Sequence, residues 1–131
     1  MAAYGFAAVG LGAAFGAWLR WWLGLRLNSL LVAMPLGTLA ANLIGGFLVG
    51  VAIATFDRHP GVPPEARLFV ITGFLGGLTT FSTFSAEIST LVLRREWLWG
   101  ALGIGAHVVG SIVMTLGGLV AMRALFQWGS P

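Results

Sequence analysis

The sequence has 131 residues, of which 58% are hydrophobic and only 8% are charged, against roughly 25% charged in an average soluble protein. The mean hydropathy is +0.94, and the length fits a single domain. The chain contains no cysteine, which excludes disulfides, thiol chemistry and thiolate metal sites. The formal charge of +3 comes from arginines near the ends of apolar stretches, which indicates membrane anchoring and not nucleic-acid binding.

Four apolar stretches each reach the ~18 residues that a membrane-spanning helix requires. The first stretch has no basic residue before Arg20, so we expect a retained helix and not a cleaved signal peptide. The sequence therefore predicts an all-α integral membrane protein of the plasma or inner membrane. We expect one transmembrane domain over 1–131, with helices at about 3–26, 33–57, 66–94 and 97–126.

The first two helices carry pairs of small residues at the spacing that lets helices approach closely in lipid. These pairs are Gly12 with Gly16 and Gly46 with Gly50, and they predict close helix packing. Arg20 lies near the end of the first helix, beside three tryptophans typical of a membrane interface. It either draws anions toward a vestibule or extends its side chain to the interface, and the second role is favoured.

The arginines show no preference for one side of the membrane. If the helices alternate in direction, the basic residues divide almost evenly between the two faces, whereas cytoplasmic loops are normally richer in Arg and Lys. We therefore expect insertion in both orientations. Because four helices of this size make a poor conduit alone, we also expect an antiparallel homodimer.

Polar residues recur along the second and fourth helices. Thr38 and Asn42 lie one turn apart, and His107, Ser111 and Thr115 follow each other at four-residue intervals along one stripe. Such groups either bond to their own or a neighbouring helix, or line a shared cavity. Taken together, the stripes favour a cavity.

The third apolar stretch contains "GGLTT", residues 76–80, near its centre. Paired glycines lower helix propensity by about 1 kcal/mol each, and β-branched threonines lower it further. Broken backbone inside a membrane is tolerated only where it is buried in protein or lines a cavity, and interrupted helices recur at membrane ion sites. We expect the third helix to break here beside an ion path; the alternative is a kinked helix whose hydroxyls bond to its own backbone.

Two phenylalanines follow the predicted break. Phe81 and Phe84 share one helix face, a pattern that usually means core packing or lipid contact. Because the edge of an aromatic ring is electropositive, such rings can instead stabilise a partly dehydrated anion, with Ser82 and Thr83 as hydroxyl donors beside them. Glu87 is either a paired structural acid or a gate at the mouth of the path.

These residues resemble a known family. The segment "GFLGGLTTFSTFSAE" (73–87) closely resembles the third-helix signature of the Fluc/CrcB fluoride channels. "GAAFGAWLRWW" (12–22) and "GTLAANLIGGFLVG" (37–50) resemble the motifs of their first and second helices. The resemblance covers most of the chain. It implies a dual-topology homodimer with two antiparallel pores and a central structural sodium ion.

The resemblance also implies roles for individual residues. Phe81 and Phe84 would be the pore phenylalanines, and Asn42 the pore amide. Gly76 and Thr79 would supply backbone carbonyls to the sodium ion at the helix break.

The fourth helix departs from the family pattern at one position. By the same resemblance, Ser111 and Thr115 fall on the polar track of the fourth helix, and Arg20 falls in the vestibule. His107 stands where members of the family usually have tyrosine. It keeps a ring and a donor but can titrate near neutral pH, which raises the question of pH-dependent conduction at that end.

The function implied is passive fluoride export that lowers the cytoplasmic fluoride concentration, with fluoride, the lipid bilayer and a second copy of the chain as partners and no nucleic acid. The sequence shows no nucleophile–base pair or carboxylate pair, so we do not expect an enzyme.

One alternative is a small four-helix proton-coupled multidrug exporter, which needs a titrating carboxylate in its cavity, commonly in the first helix. The first helix here has none. The other alternative is a structural membrane subunit.

Overall fold

The computed structural model describes residues 2–128, and within them every regular element is helical. Four spans of this range are long and apolar enough to cross a membrane, and the third of them consists of two shorter helices. The chain is a multi-pass membrane protein. Its helices are α1 (Ala2–Leu27), α2 (Leu36–Arg58), α3 (64–78), α4 (Phe81–Leu93) and α5 (Trp97–Trp128).

The helix α3 is not uniform along its length. Its first turn, Pro64–Arg67, and its last, Gly76–Leu78, are α-helical, whereas Leu68–Leu75 between them is wound as a wider π-helix. Stretches of π-helix are rare and often accompany functional sites.

The second helix begins at Leu36, three residues later than the predicted start at 33. Pro35 precedes the helix in an extended conformation, and a proline disfavours helical geometry in the residue before it. The helix therefore cannot extend backwards through Met34. The connection from α1 consists of turns, and Asn28 Oδ1 accepts a hydrogen bond of 2.8 Å from the Gly37 N–H.

Glycines bring the helix backbones into direct contact. The helix α1 packs along α3 and α2, while α2 packs along α5 and α4 also packs against α5. A Cβ atom added to Gly12 or Gly16 would overlap the carbonyl oxygens of Phe69 and Phe74, respectively. Gly50 would likewise overlap the Thr115 carbonyl of α5. The prediction of close packing at these small residues is confirmed.

The buried core is small and lies where α1, α2 and the end of α3 meet, around Leu23, Ala41 and Leu78. Most of the other large apolar side chains point outward. This arrangement is expected for a helix bundle in lipid, because hydrocarbon solvates apolar side chains and only close packing and polar contacts hold the helices together.

Candidate functional site

The candidate site is built around an interruption of the third span. Thr79 and Thr80 have extended backbone, with ψ angles of 155° and 123°, between the end of α3 and the start of α4. Thr80 caps the new helix, because its Oγ1 accepts a 3.1 Å hydrogen bond from the Thr83 N–H. The span is therefore two helices joined by two extended residues.

Asn42 of α2 takes the place of the missing helical partners at this interruption. Its Oδ1 accepts a 2.7 Å hydrogen bond from the Thr80 N–H, and its Nδ2 donates a 3.0 Å bond to the Thr80 carbonyl. One amide side chain thus satisfies both backbone polar groups of one extended residue. Buried backbone groups nearly always find such partners, and here the partner comes from a neighbouring helix.

The same contacts free two carbonyl groups. In a continuous helix the Thr80 N–H would bond to the Gly76 carbonyl, but it donates to Asn42 instead. The Thr83 N–H, which would bond to the Thr79 carbonyl, donates to the Thr80 hydroxyl. Gly76 and Thr79 are the two residues for which sodium contacts were predicted, and a hard cation is bound by oxygens of this kind.

Arg20 reaches the interruption from α1. Its Nε donates a 3.1 Å hydrogen bond to the carbonyl of Gly77, in the last turn of α3. The side chain is half-buried. Arg20 therefore bonds to a backbone carbonyl at the end of a helix, where a positive charge is favourable, in addition to any role at the membrane interface.

A cavity of about 540 Å³ lies beside the interruption, between α2, α5 and the start of α4. Its walls combine apolar side chains with a few donors and acceptors. It brings together seven of the predicted site residues: Asn42, Gly76, Thr79, Phe81, Phe84, His107 and Ser111.

The aromatic rings of the cavity form a row. The ring centroids of Phe81 and Phe84 are 5.5 Å apart at an interplanar angle of 59°, and those of Phe84 and His107 are 4.6 Å apart at 34°. Phe84 and His107 are buried, whereas Phe81 is 76% exposed. Tilted rings direct part of their electropositive edges into the space beside them, so this wall is suited to an anion.

Thr38 and Glu87 lie outside this cavity and pair with each other. The Thr38 hydroxyl donates a 2.5 Å hydrogen bond to Glu87 Oε1. Glu87 lines a second cavity of about 340 Å³, together with Pro35 and Arg94. Glu87 is therefore a paired acid, and the cavity that it lines is separate from the first.

Three other predicted hydroxyls form local bonds. Ser82 and Thr83 lie within 3.3 Å and 3.1 Å of the Thr80 hydroxyl, and neither lines the cavity. Thr115 donates a 2.9 Å bond to the Ser111 carbonyl of its own helix and lines a neighbouring cleft. Sequence reasoning missed the part played by Thr80; a threonine three residues before a helical N–H is a capping pattern that could have indicated it.

The sequence profile of the family described as "CrcB-like protein, Camphor Resistance (CrcB)" matches residues 7–119. The chain belongs to the CrcB family. The resemblance found in the sequence motifs is thereby confirmed. The region that matches the CrcB family contains the whole interruption and every residue that lines the cavity beside it.

Several curated relatives of this CrcB family chain carry the name fluoride-specific ion channel FluC. The one from Nitrosospira multiformis is 58% identical, over 97% of this chain and 99% of the relative. The one from Thiobacillus denitrificans is 62% identical, over 92% of this chain and 97% of the relative. The one from Ralstonia pickettii is 57% identical, over 94% and 98%.

Proposed function

We propose that this chain forms a fluoride channel through which fluoride leaves the cytoplasm passively. The names and near full-length similarity of its relatives support the proposal. The observation that carries it is the composition of the 540 Å³ cavity, which combines aromatic rings with N–H and O–H groups. No acidic side chain lines it among the described residues, and a carboxylate there would repel an anion.

Fluoride must lose water to pass a narrow site, and the cavity offers replacements for that water. The ring edges of Phe81 and Phe84 supply weak positive potential along one wall. His107 and Ser111 supply polar groups from α5. Asn42 lies beside them on α2 with its amide bonded to Thr80 and His107. In this proposal the Thr38–Glu87 pair and Thr115 act nearer the two ends of the path. Arg20 acts at the interruption through its bond to the Gly77 carbonyl, and Ser82 and Thr83 support the interruption through Thr80.

We also propose that two antiparallel copies complete the path. Phe81 lines the cavity and is nevertheless 76% exposed, so one chain leaves this wall open. A second copy packed over Phe81 would close it. The even distribution of arginines between the two membrane faces supports opposed orientations.

A structural sodium ion fits the interruption. The carbonyls of Gly76 and Thr79 are the candidate ligands, because the N–H groups that would ordinarily bond to them are diverted to Asn42 and Thr80. Carbonyl oxygens of unwound helix are a recurrent way to bind Na⁺ in membrane proteins. The ion would neutralise these dipoles and so stabilise the interruption.

The test is fluoride efflux from liposomes that contain the purified protein. Rapid efflux down the fluoride gradient, without a proton gradient, is the expected result. Export of organic cations driven by protons would identify a carrier instead, and the absence of any transport would leave a structural subunit. Restored growth in fluoride of cells that lack their own exporter is the matching experiment in vivo.

A further inference from the structure

The contact between Asn42 and His107 determines where the histidine carries its proton. Asn42 Nδ2 and His107 Nδ1 are 3.0 Å apart, and His107 is only 5% exposed. The contact with Thr80 shows which side-chain atom of Asn42 is the nitrogen. The Thr80 N–H can only donate, so the Asn42 atom 2.7 Å from it must be the oxygen.

The other end of the Asn42 amide is therefore the NH₂ group, which donates two hydrogen bonds and accepts none. One of its hydrogens points to the Thr80 carbonyl, at 3.0 Å, and the other to His107 Nδ1. Nδ1 must then be the acceptor and carry no proton. A neutral imidazole in this position has its proton on Nε2.

The Nε2 atom has no protein partner among the described residues. Within those residues, the one hydrogen bond of His107 is at Nδ1. Every side-chain nitrogen there that is sealed from solvent has a partner, so the unpartnered Nε2 must have accessible surface. Because His107 lines the cavity, Nε2 is reached from the open space beside it. The free N–H is thus available to whatever occupies that space.

We propose that Asn42 is a positioning residue that holds His107 as the neutral Nε2–H tautomer, so that His107 presents one N–H donor to an anion in the cavity. This inference rests on the proposed function as an anion path. It identifies His107 Nε2–H as a specific contact for the ion. The bonds between Asn42 and Thr80 fix the Asn42 amide, and that amide in turn orients the His107 ring.

Protonation of His107 would disrupt this arrangement, because an N–H on Nδ1 would face the N–H of Asn42. No charged side chain lines the cavity beside the ring among the residues described. On α4, Glu87 lies three residues after Phe84 and bonds to Thr38. On α2 the charged residues are Asp57 and Arg58 at its far end, and on α5 Arg123 lies beyond the cavity.

The tautomer can be read directly by ¹⁵N magnetic resonance in lipid bilayers. The chain has only two histidines, so the His59→Gln protein, changed at an exposed loop position, reports His107 alone. At neutral pH we expect a protonated Nε2 and an unprotonated Nδ1. A spectrum dominated by the Nδ1–H form or by imidazolium would overturn the inference. Because this measurement leaves His107 unchanged, it does not depend on whether a variant at position 107 folds.

A pair of substitutions tests the donor in fluoride efflux. In His107→Gln the amide nitrogen reaches the former position of Nε2, whereas in His107→Asn the side chain reaches only as far as Nδ1. We expect His107→Gln to keep most of the efflux and His107→Asn to lose roughly tenfold, the effect of about one hydrogen bond. Equal rates in two well-folded variants would contradict the assignment.

The two experiments separate this inference from the proposed function. If the unmodified protein passes no fluoride while the spectrum shows Nε2–H, the channel proposal is wrong and the tautomer assignment stands. If the protein conducts and the spectrum shows Nδ1–H, both the role assigned to Asn42 and the Nε2–H contact are wrong, and the channel proposal stands.

Discussion

Two adjacent glycines on α5 provide a matched test of the glycine-mediated packing. A Cβ added to Gly118 would overlap the Phe47 carbonyl oxygen of α2 and lie 3.0 Å from its carbon and 3.2 Å from the Val51 nitrogen. A Cβ added to Gly117 would meet no atom of the described residues within 4 Å. Gly118→Ala must therefore push α2 and α5 apart, and Gly117→Ala need not move anything.

The expected difference follows from two contributions. Each substitution gains about 1 kcal/mol of helix propensity, so this contribution cancels between the two variants. Overpacking a close contact costs about 1–3 kcal/mol, and at Gly118 the obstructing atoms are backbone, which cannot rotate away. Gly118→Ala should thus unfold more easily than Gly117→Ala by about 1–3 kcal/mol, roughly 5- to 150-fold in the unfolding equilibrium.

The assay is unfolding of the purified protein in detergent. The unmodified protein, Gly118→Ala and Gly117→Ala are compared under the same conditions. Gly105→Ala, also on α5 and also open within 4 Å, is a second control and should behave like Gly117→Ala. Equal stability of Gly118→Ala and Gly117→Ala would refute the idea that direct backbone contact holds α2 against α5.

Two further predictions concern the site, and a third concerns orientation in the membrane. Phe81→Ile or Phe84→Ile should reduce fluoride efflux to background while the protein still folds, because the ring edges are lost and the apolar bulk is largely kept; unchanged efflux in both would mean that the rings only pack. Asn42→Ala should cost about 2–5 kcal/mol of stability, from its three bonds to Thr80 and His107 at about 0.6–1.7 kcal/mol each. Ser89→Ala, which removes an exposed bond within one helix, should cost little by the same unfolding assay, and equal losses would argue against the bridging role of Asn42. A tag at the C-terminus should be found on both sides of the membrane, and a uniformly one-sided tag would contradict the opposed dimer.

The hydroxyl groups show how far sequence reasoning reached within the site. Ser111 and Thr115 lie on one stripe of α5 as the four-residue spacing predicted, yet Ser111 lines the cavity and the Thr115 hydroxyl bonds to its own helix. Both outcomes are compatible with the same spacing. A hydroxyl can always bond to the carbonyl one turn earlier, and whether it does depends on what lies opposite.

Thr80 and Arg20 show the same limit for the backbone. The glycines and threonines of 76–80 predicted weak helix, because propensity is a local property of the chain. That Asn42 would bond to both polar groups of Thr80, and Arg20 to the Gly77 carbonyl, depends on residues 38 and 57 positions away in sequence. No local pattern specifies such pairs.

By itself the sequence determined the membrane as the solvent, four apolar spans, the faces on which glycines allow close approach, and the family through its third-helix motif. These features depend on composition and spacing within one segment. The tertiary structure decided which side chains share the cavity, that one amide joins the interruption to His107, and where carbonyls are freed. Periodicity states which residues lie on the same side of one helix, but only the packing of several helices decides what that side meets.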